Sequence, residues 1–282
     1  MLANIAQCLL RVAELEGLSE TPRLDLELLL CHCLRQERAY LYTWPERALT
    51  ESQWADFDAL LARRRRGEPV AYLIGRRDFW SLSLAVDASS LIPRPDSELL
   101  VELALERAPQ GSAGRALDLG TGTGALVLAF ASERPHWQLV GLDSSKAALR
   151  LAERNRRALG FATVSFVQSD WFQALDGKQC FDLILSNPPY IAPDDPHLRQ
   201  GDLRFEPRSA LVAEQQGLAD ISQIIQAAPD YLHPGGWLLV EHGWQQGDAV
   251  RQLFQKAGFN APASHCDLAG RERVTLGRKP WR

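Results

Sequence analysis

Residues 181–190, Phe-Asp-Leu-Ile-Leu-Ser-Asn-Pro-Pro-Tyr, join a buried-strand pattern to side chains able to hold a flat nitrogen. The run Leu183-Ile184-Leu185 is apolar enough for a strand covered on both faces of a parallel sheet. Pro188 and Pro189 cannot donate to a sheet ladder, and each restricts the residue before it to extended geometry. Asn187 is therefore expected to lie extended at the carboxyl end of a strand, where open α/β sheets put their ligands. The Asn187 side-chain oxygen and the Pro188 carbonyl offer two acceptors, and Tyr190 offers an aromatic face. Such a set suits an NH2 group, with two N–H bonds accepted in one plane and the plane stacked on a ring. An amide or amino nitrogen is a poor nucleophile, because its lone pair is delocalised. Orientation and polarisation must then do much of the activation. A strand running into a Pro-rich turn is the simpler account of these residues taken alone.

A second group lies upstream. Asp118-Leu119-Gly120-Thr121-Gly122-Thr123-Gly124 follows a strand pattern and opens a helical one. Glycines there let a backbone approach a ligand closely and adopt dihedrals closed to other residues. Nicotinamide and flavin enzymes also use a glycine-rich turn, but their fingerprint is G-x-G-x-x-G, whereas glycines at 120, 122 and 124 give G-x-G-x-G. Ala125 is a residue that a looser form of the fingerprint tolerates. Asp143 ends the next strand pattern, where a carboxylate can accept both hydroxyls of a ribose. Asp170-Trp171-Phe172 ends the third, with an acid for an adenine amine and an indole to pack on the base. Each acid alone could simply cap a helix. Together, three successive strand ends define one crevice for an adenosine-type cofactor.

The elements that must position these residues follow from hydrophobic periodicity. Strands are predicted at 116–119, 139–142, 164–167, 181–185 and 237–240, and helices near 124–134, 145–159, 217–232 and 247–257. That alternation predicts a doubly wound parallel sheet with right-handed crossovers. Two extended pieces, 263–267 and 272–278, follow across a turn at Gly270 and would add an antiparallel strand. Residues 1 to about 66 read as helix. Thr21-Pro22 resembles a helix start, Thr50 with Gln53 a capping box, and Arg63-Arg64-Arg65-Arg66 a solvated last turn that complements the helix dipole. RNA binding is the other reading of that run. Alternation from Asp78 to Val86 predicts a hairpin, which sets expected domains at 1–76 and 77–282. In Pro93-Arg94-Pro95-Asp96-Ser97, Asp96 or Ser97 is expected to cap the helix that follows.

Composition excludes several classes. The 282 residues carry a formal net charge of −4, which argues against a general nucleic-acid coat or a membrane-surface binder. No apolar run reaches the length of a membrane span, and no signal peptide is read at the start. The five cysteines are odd in number and scattered, a pattern that fits reduced thiols in a cytosolic protein. Cys31-His32-Cys33 lies inside an apolar helical run without a second ligand pair, so no metal is expected.

The glycine loop from Asp118 to Gly124 and the tetrapeptide Asn187-Pro188-Pro189-Tyr190 resemble the class I S-adenosylmethionine-dependent methyltransferases that act on planar nitrogens. Three further segments narrow the likeness: residues 91–98, Arg76-Arg77-Asp78-Phe79-Trp80, and Phe205-Glu206-Pro207-Arg208-Ser209-Ala210-Leu211. With these the chain resembles the release-factor glutamine methyltransferase family (HemK/PrmC) over nearly its whole length. Ser97 stands where that family often has Thr, and Trp171 where it often has Leu. The resemblance implies a mostly parallel doubly wound sheet with a C-terminal antiparallel strand, preceded by a small all-helical substrate-recognition domain. It implies methyl transfer from S-adenosyl-L-methionine to the side-chain amide of the glutamine in the Gly-Gly-Gln motif of peptide chain release factors, a cytoplasmic step of translation termination. On that resemblance Gly120, Thr121, Gly122, Thr123, Gly124, Asp143, Trp171 and Asn187 are expected at the cofactor. Asn187, Pro188, Pro189 and Tyr190 are expected at the acceptor, and the stretch from Arg199 to Arg208 over its channel. The sister enzymes that methylate a ribosomal protein or a nucleic-acid base share the tetrapeptide and are the alternative. A nicotinamide oxidoreductase and a catalytically silent scaffold are the remaining ones.

Overall fold

Short helices fill the first 76 residues, because apolar residues recur at helical spacing between strong starts and stops. The structure, a computed structural model, describes residues 3–177 and 180–281. The helices are α1 (Ile5–Leu9), α2 (Pro22–Leu34), α3 (Arg38–Thr43), α4 (Glu51–Arg65) and α5 (Val70–Ile74). Thr50 and Gln53 form the expected capping box on α4, in which each side chain bonds the other's backbone N–H. Thr21 precedes Pro22 as expected, but its hydroxyl donates to Asp25 at 3.3 Å and makes no cap bond. Leu26, Leu29 and Leu30 of α2 meet Phe57 and Leu61 of α4 in a fully buried core.

The arginine run ends α4 as expected, with Arg65 and Arg66 exposed, but Arg64 is not solvated. Arg64 is buried and donates to Asp25 at 2.7 Å, to Asp202 at 3.2 Å and to the Glu68 carbonyl at 3.0 Å. Arg63 pairs with Glu68, and Arg65 lies 3.5 Å from Glu14. Spacing alone could not reveal this, since Asp202 lies far along the chain. The chain divides into two compact units: Met1–Arg76 with Pro196–Phe205, and Arg77–Asp195 with Glu206–Arg282.

In the larger unit a hairpin, β1 (Arg76–Phe79) and β2 (Leu82–Ala85), leads to α6 (Glu98–Arg107). Then β3 (Arg115–Leu119), α7 (Ala125–Glu133), β4 (Gln138–Asp143), α8 (Lys146–Leu159), β5 (Val164–Gln168) and β6 (Phe181–Ser186) alternate. A one-turn α9 (Glu214–Gly217), α10 (Ala219–Tyr231), β7 (Leu232–Glu241), α11 (Gly247–Lys256), β8 (Asn260–Cys266) and β9 (Glu272–Arg278) complete it. The seven-stranded sheet has the order β5-β4-β3-β6-β7-β9-β8, with β9 antiparallel to both neighbours and the rest of the ladders parallel. This is the expected doubly wound sheet with its antiparallel C-terminal strand.

Leu183 and Leu185 of β6 face one apolar layer, built with Leu100, Val101, Leu128 and Phe130. Ile184 faces the other, with Ile221, Ile224, Val240 and Phe254. That double burial is why β6 reads as a continuous apolar run. From β3 the chain steps outward through β4 and β5, then returns to place β6 on the other side of β3. The strand order reverses there, and in such sheets a crevice opens at the reversal. Among the described residues no helix is long and apolar enough to cross a membrane.

Candidate active site

At the carboxyl ends of β3, β4, β5 and β6 lies a cavity of about 260 Å³. The glycine loop forms one wall. Gly120, Gly122 and Gly124 take φ values of 72°, 55° and 82°, a left-handed conformation that explains three glycines at alternate positions. The loop's N–H groups are turned back on the sheet. Gly120 and Thr121 donate to the Leu142 carbonyl at 2.9 and 2.8 Å, and Gly124 to the Thr121 carbonyl at 2.7 Å. Gly122 donates to Asp143 Oδ2 at 2.9 Å.

Asp143 Oδ1 accepts from the Ser145 N–H at 2.8 Å, so each carboxylate oxygen holds one backbone bond and keeps a further lone pair. Burial pushes its pKa up and these two bonds pull it back. Behind the loop Asp118, read from the sequence only as the loop's first residue, is buried with one oxygen bonded to the Thr121 hydroxyl at 2.6 Å. Its other oxygen has no hydrogen-bond partner among the described residues, and burial raises the carboxyl to about 7. Trp171 takes a left-handed φ of 44° and lines the cavity beside Gly120. Its indole N–H serves Asp220, a second acid at the wall whose pKa is raised by burial. Asp170 also lines the wall and accepts from Gln173 at 2.9 Å.

Asn187 projects from the end of β6 into the same cavity. Its Nδ2 donates to Ser97 Oγ at 3.0 Å, which fixes the amide plane. Ser97 therefore makes no helix cap, and neither does Asp96. Asp96 instead lies 3.3 Å from Arg273, and Arg94 pairs with Glu206, whose other oxygen accepts the Ile92 N–H at 3.2 Å. The Pro93–Ser97 segment is thus held along its length by β9, by Glu206 and by Asn187. Two prolines and a polar tail gave a helix start from local pattern, while the actual partners sit far away in sequence.

The cavity brings together Gly120, Thr121, Gly122, Thr123, Asp143, Trp171, Asn187 and Pro189 among the residues expected there. Gly124, Pro188 and Tyr190 do not line it. Gly124 starts α7, and Pro188 is buried. Tyr190 packs on the layer around Ile184 and Val240, and its hydroxyl donates to Glu241 at 3.3 Å. Of the stretch from Arg199 to Arg208, only Pro207 belongs to the wall, joined by Ser209 and Ala210, while Pro196–Phe205 groups with the helical unit. Sequence reading missed Ser97, Asp220 and Glu241, because the residues they meet, Asn187, Trp171 and Tyr190, lie far away in sequence.

Residues 8–75 match the family model described as PrmC N-terminal domain, and residues 110–273 one described as methyltransferase domain. A release factor glutamine methyltransferase of Escherichia coli (strain K12) is 53% identical over 92% of this chain and 93% of its own. That of Vibrio cholerae serotype O1 is 52% identical over 92% and 91%. The crystal structure of a methyltransferase from Pyrococcus furiosus superposes with a TM-score of 0.54 over 78% of this chain and 97% of that one, at 17% identity, a likeness of fold alone. An identity above one half across nine-tenths of the length leaves no room for a merely shared fold, and the chain belongs to the release factor glutamine methyltransferase family.

Proposed function

We propose that this chain binds S-adenosyl-L-methionine against the glycine loop and methylates the side-chain amide nitrogen of the glutamine in the Gly-Gly-Gln motif of peptide chain release factors. The observation that carries this reading is one cavity lined both by Asp143 and by Asn187, in a member of this family. The residues present suit the cofactor. Three acids, Asp143, Asp170 and Asp220, line the cavity against a single base, Arg94, itself paired with Glu206. An acidic wall favours a cation and opposes the two phosphates of a dinucleotide. Four loop N–H groups that could face a pyrophosphate, those of Gly120, Thr121, Gly122 and Gly124, are already bonded to Leu142, Asp143 and Thr121. This disfavours the nicotinamide alternative on grounds independent of glycine spacing.

The bound cofactor supplies an electrophilic methyl on a sulfonium; what the chain supplies is position. Asp143, held by two backbone N–H groups, offers its remaining lone pairs to ribose hydroxyls, and Trp171 offers a face for the base. Asn187 Nδ2 is committed to Ser97, which leaves Oδ1 to accept one amide N–H of the substrate glutamine. The Pro188 carbonyl, on a buried residue outside the cavity wall, would have to turn toward the substrate to accept the other. Two acceptors in the amide plane raise electron density on nitrogen and aim it, and most of the acceleration comes from that alignment. The nitrogen becomes acidic only as the methyl arrives, so no strong base is required beforehand.

Protein substrate, rather than nucleic acid, is favoured by the net charge of −4 and by the arginines 63–65 being engaged in ion pairs. We assign the helical unit to grip of the release factor and cytoplasm as the place of action. Mass spectrometry of a release factor after incubation with enzyme and cofactor tests the reading. One methyl on the Gly-Gly-Gln glutamine is expected. An unmodified factor beside a methylated ribosomal protein would move the enzyme to the sister activity.

A further inference from the structure

Glu241 is the last residue of β7 and is almost wholly buried, at 1% exposure. The register pairs Ser186 with Val240, so the next residues, Asn187 and Glu241, stand side by side at the ends of neighbouring strands. The Tyr190 hydroxyl donates to Glu241 Oε1 at 3.3 Å, and the Ser97 hydroxyl faces the same carboxyl. Ser97 is also the group that holds the Asn187 amide at 3.0 Å. Tyr190 is thereby bonded to the carboxyl directly, and Ser97, which holds Asn187, faces the same carboxyl. Glu241 Oε2 has no hydrogen-bond partner among the described residues. The charged or titratable groups facing Glu241 are Tyr190 beyond β6, Arg273 on β9 and Asp96 in the Pro-rich segment.

A buried carboxyl with one unpartnered oxygen is a poor way to stabilise a fold. A neutral side chain of the same shape that kept the hydrogen bonds would avoid the cost of burying a charge. Burial raises Glu241 to about 7, with the two hydroxyls and Arg273 pulling it back. Fold stability alone therefore does not account for Glu241, and its neighbours supply a reason.

We infer that Glu241 is a positioning residue of the transfer reaction, a carboxyl that locks Tyr190 and, through Ser97, the Asn187 acceptor. The inference rests on the methyl-transfer reading above. Its test compares Glu241→Gln, Tyr190→Phe and the double variant with the wild type in kcat, KM for release factor, cofactor Kd and Tm.

Glu241→Gln is expected to lower kcat by about tenfold or more while cofactor Kd stays within about twofold. Its Tm at pH 8 is expected to equal or exceed that of the wild type, since an ionised buried group has been removed. The advantage shrinks by pH 5.5, where the wild-type carboxyl is itself protonated. Tyr190→Phe in the Gln background is expected to cost much less than in the wild type, because the link is already cut. A kcat within about twofold of wild type in Glu241→Gln would overturn the inference. Parallel losses of kcat and Tm would also overturn it, by assigning the residue a structural role. A wild-type enzyme that transfers no methyl would instead overturn the functional reading on which the inference stands.

Discussion

In the proposed reaction Asn187 offers one edge of its amide to the substrate, and the other edge is held by Ser97 at 3.0 Å. Asn187→Ala is expected to lower kcat by about 100-fold while leaving cofactor Kd within about threefold, checked by steady-state kinetics and calorimetry. Asp143→Ala is expected to do the reverse first, weakening cofactor binding about tenfold through loss of a charged acceptor. Asp118 makes a prediction about pH. Its carboxyl is raised to about 7 by burial, so the fold favours the protonated form, and the stability it contributes is present below about pH 4 and lost as pH rises through about 7. Asp118→Asn should therefore gain in Tm over the wild type on going from pH 5 to pH 8, read by thermal unfolding. An advantage independent of pH would contradict the burial argument. At this scale the sequence was legible where one residue's chemistry is local: Asn187 before two prolines, glycines at alternate positions, an acid at a strand end. Ser97 and Glu241 were not, since a Ser before a helix and a Glu ending a strand have common local explanations. The pairing of Ser186 with Val240 brings Glu241 beside Asn187, and Ser97 reaches Asn187 from 90 residues earlier in the chain.

The elements were legible where periodicity is strong. The five parallel strands of the sheet's core and the four helices between and after them fall within a few residues of their predicted spans, because burial on both faces or on one stripe writes itself into the pattern. Connections were less legible. Gln215 and Gln216 take left-handed φ values of 56° and 59°, followed by Gly217 at 81°, a run that no local preference of glutamine would indicate. The Gln246 side chain clasps this turn, donating to the Tyr190 and Gln216 carbonyls at 3.1 and 3.0 Å. A Cβ at Gly217 would collide with the Tyr190 carbonyl oxygen. Gly217→Ala is accordingly expected to destabilise the fold by about 2 kcal/mol and to lower kcat, because relief of the clash must move the tetrapeptide. Unchanged kcat and Tm would show that the turn gives way without disturbing Tyr190.

At the scale of the whole molecule, the residues 196–205 that fall between β6 and α9 in sequence belong to the helical unit. Arg64 of α4 joins that segment to α2 by bonding both Asp202 and Asp25. Removing one partner of a buried pair leaves an uncompensated charge, so Arg64→Met is expected to destabilise this unit by about 3 kcal/mol, measured by denaturant unfolding. A loss below about 0.5 kcal/mol would return Arg64 to the solvated role read from sequence for the run. On the same unit Tyr42 and Trp44 are exposed, at 59% and 57%. If this unit grips the release factor, Trp44→Ala should raise KM for the factor several-fold at constant kcat.

The most direct test of the central claim is a transfer assay with methyl-labelled S-adenosylmethionine. Release factor, its variant with alanine for the Gly-Gly-Gln glutamine, ribosomal protein and duplex DNA would be offered side by side. Label on the wild-type factor alone is expected. Label on the alanine variant, on ribosomal protein or on DNA would contradict it.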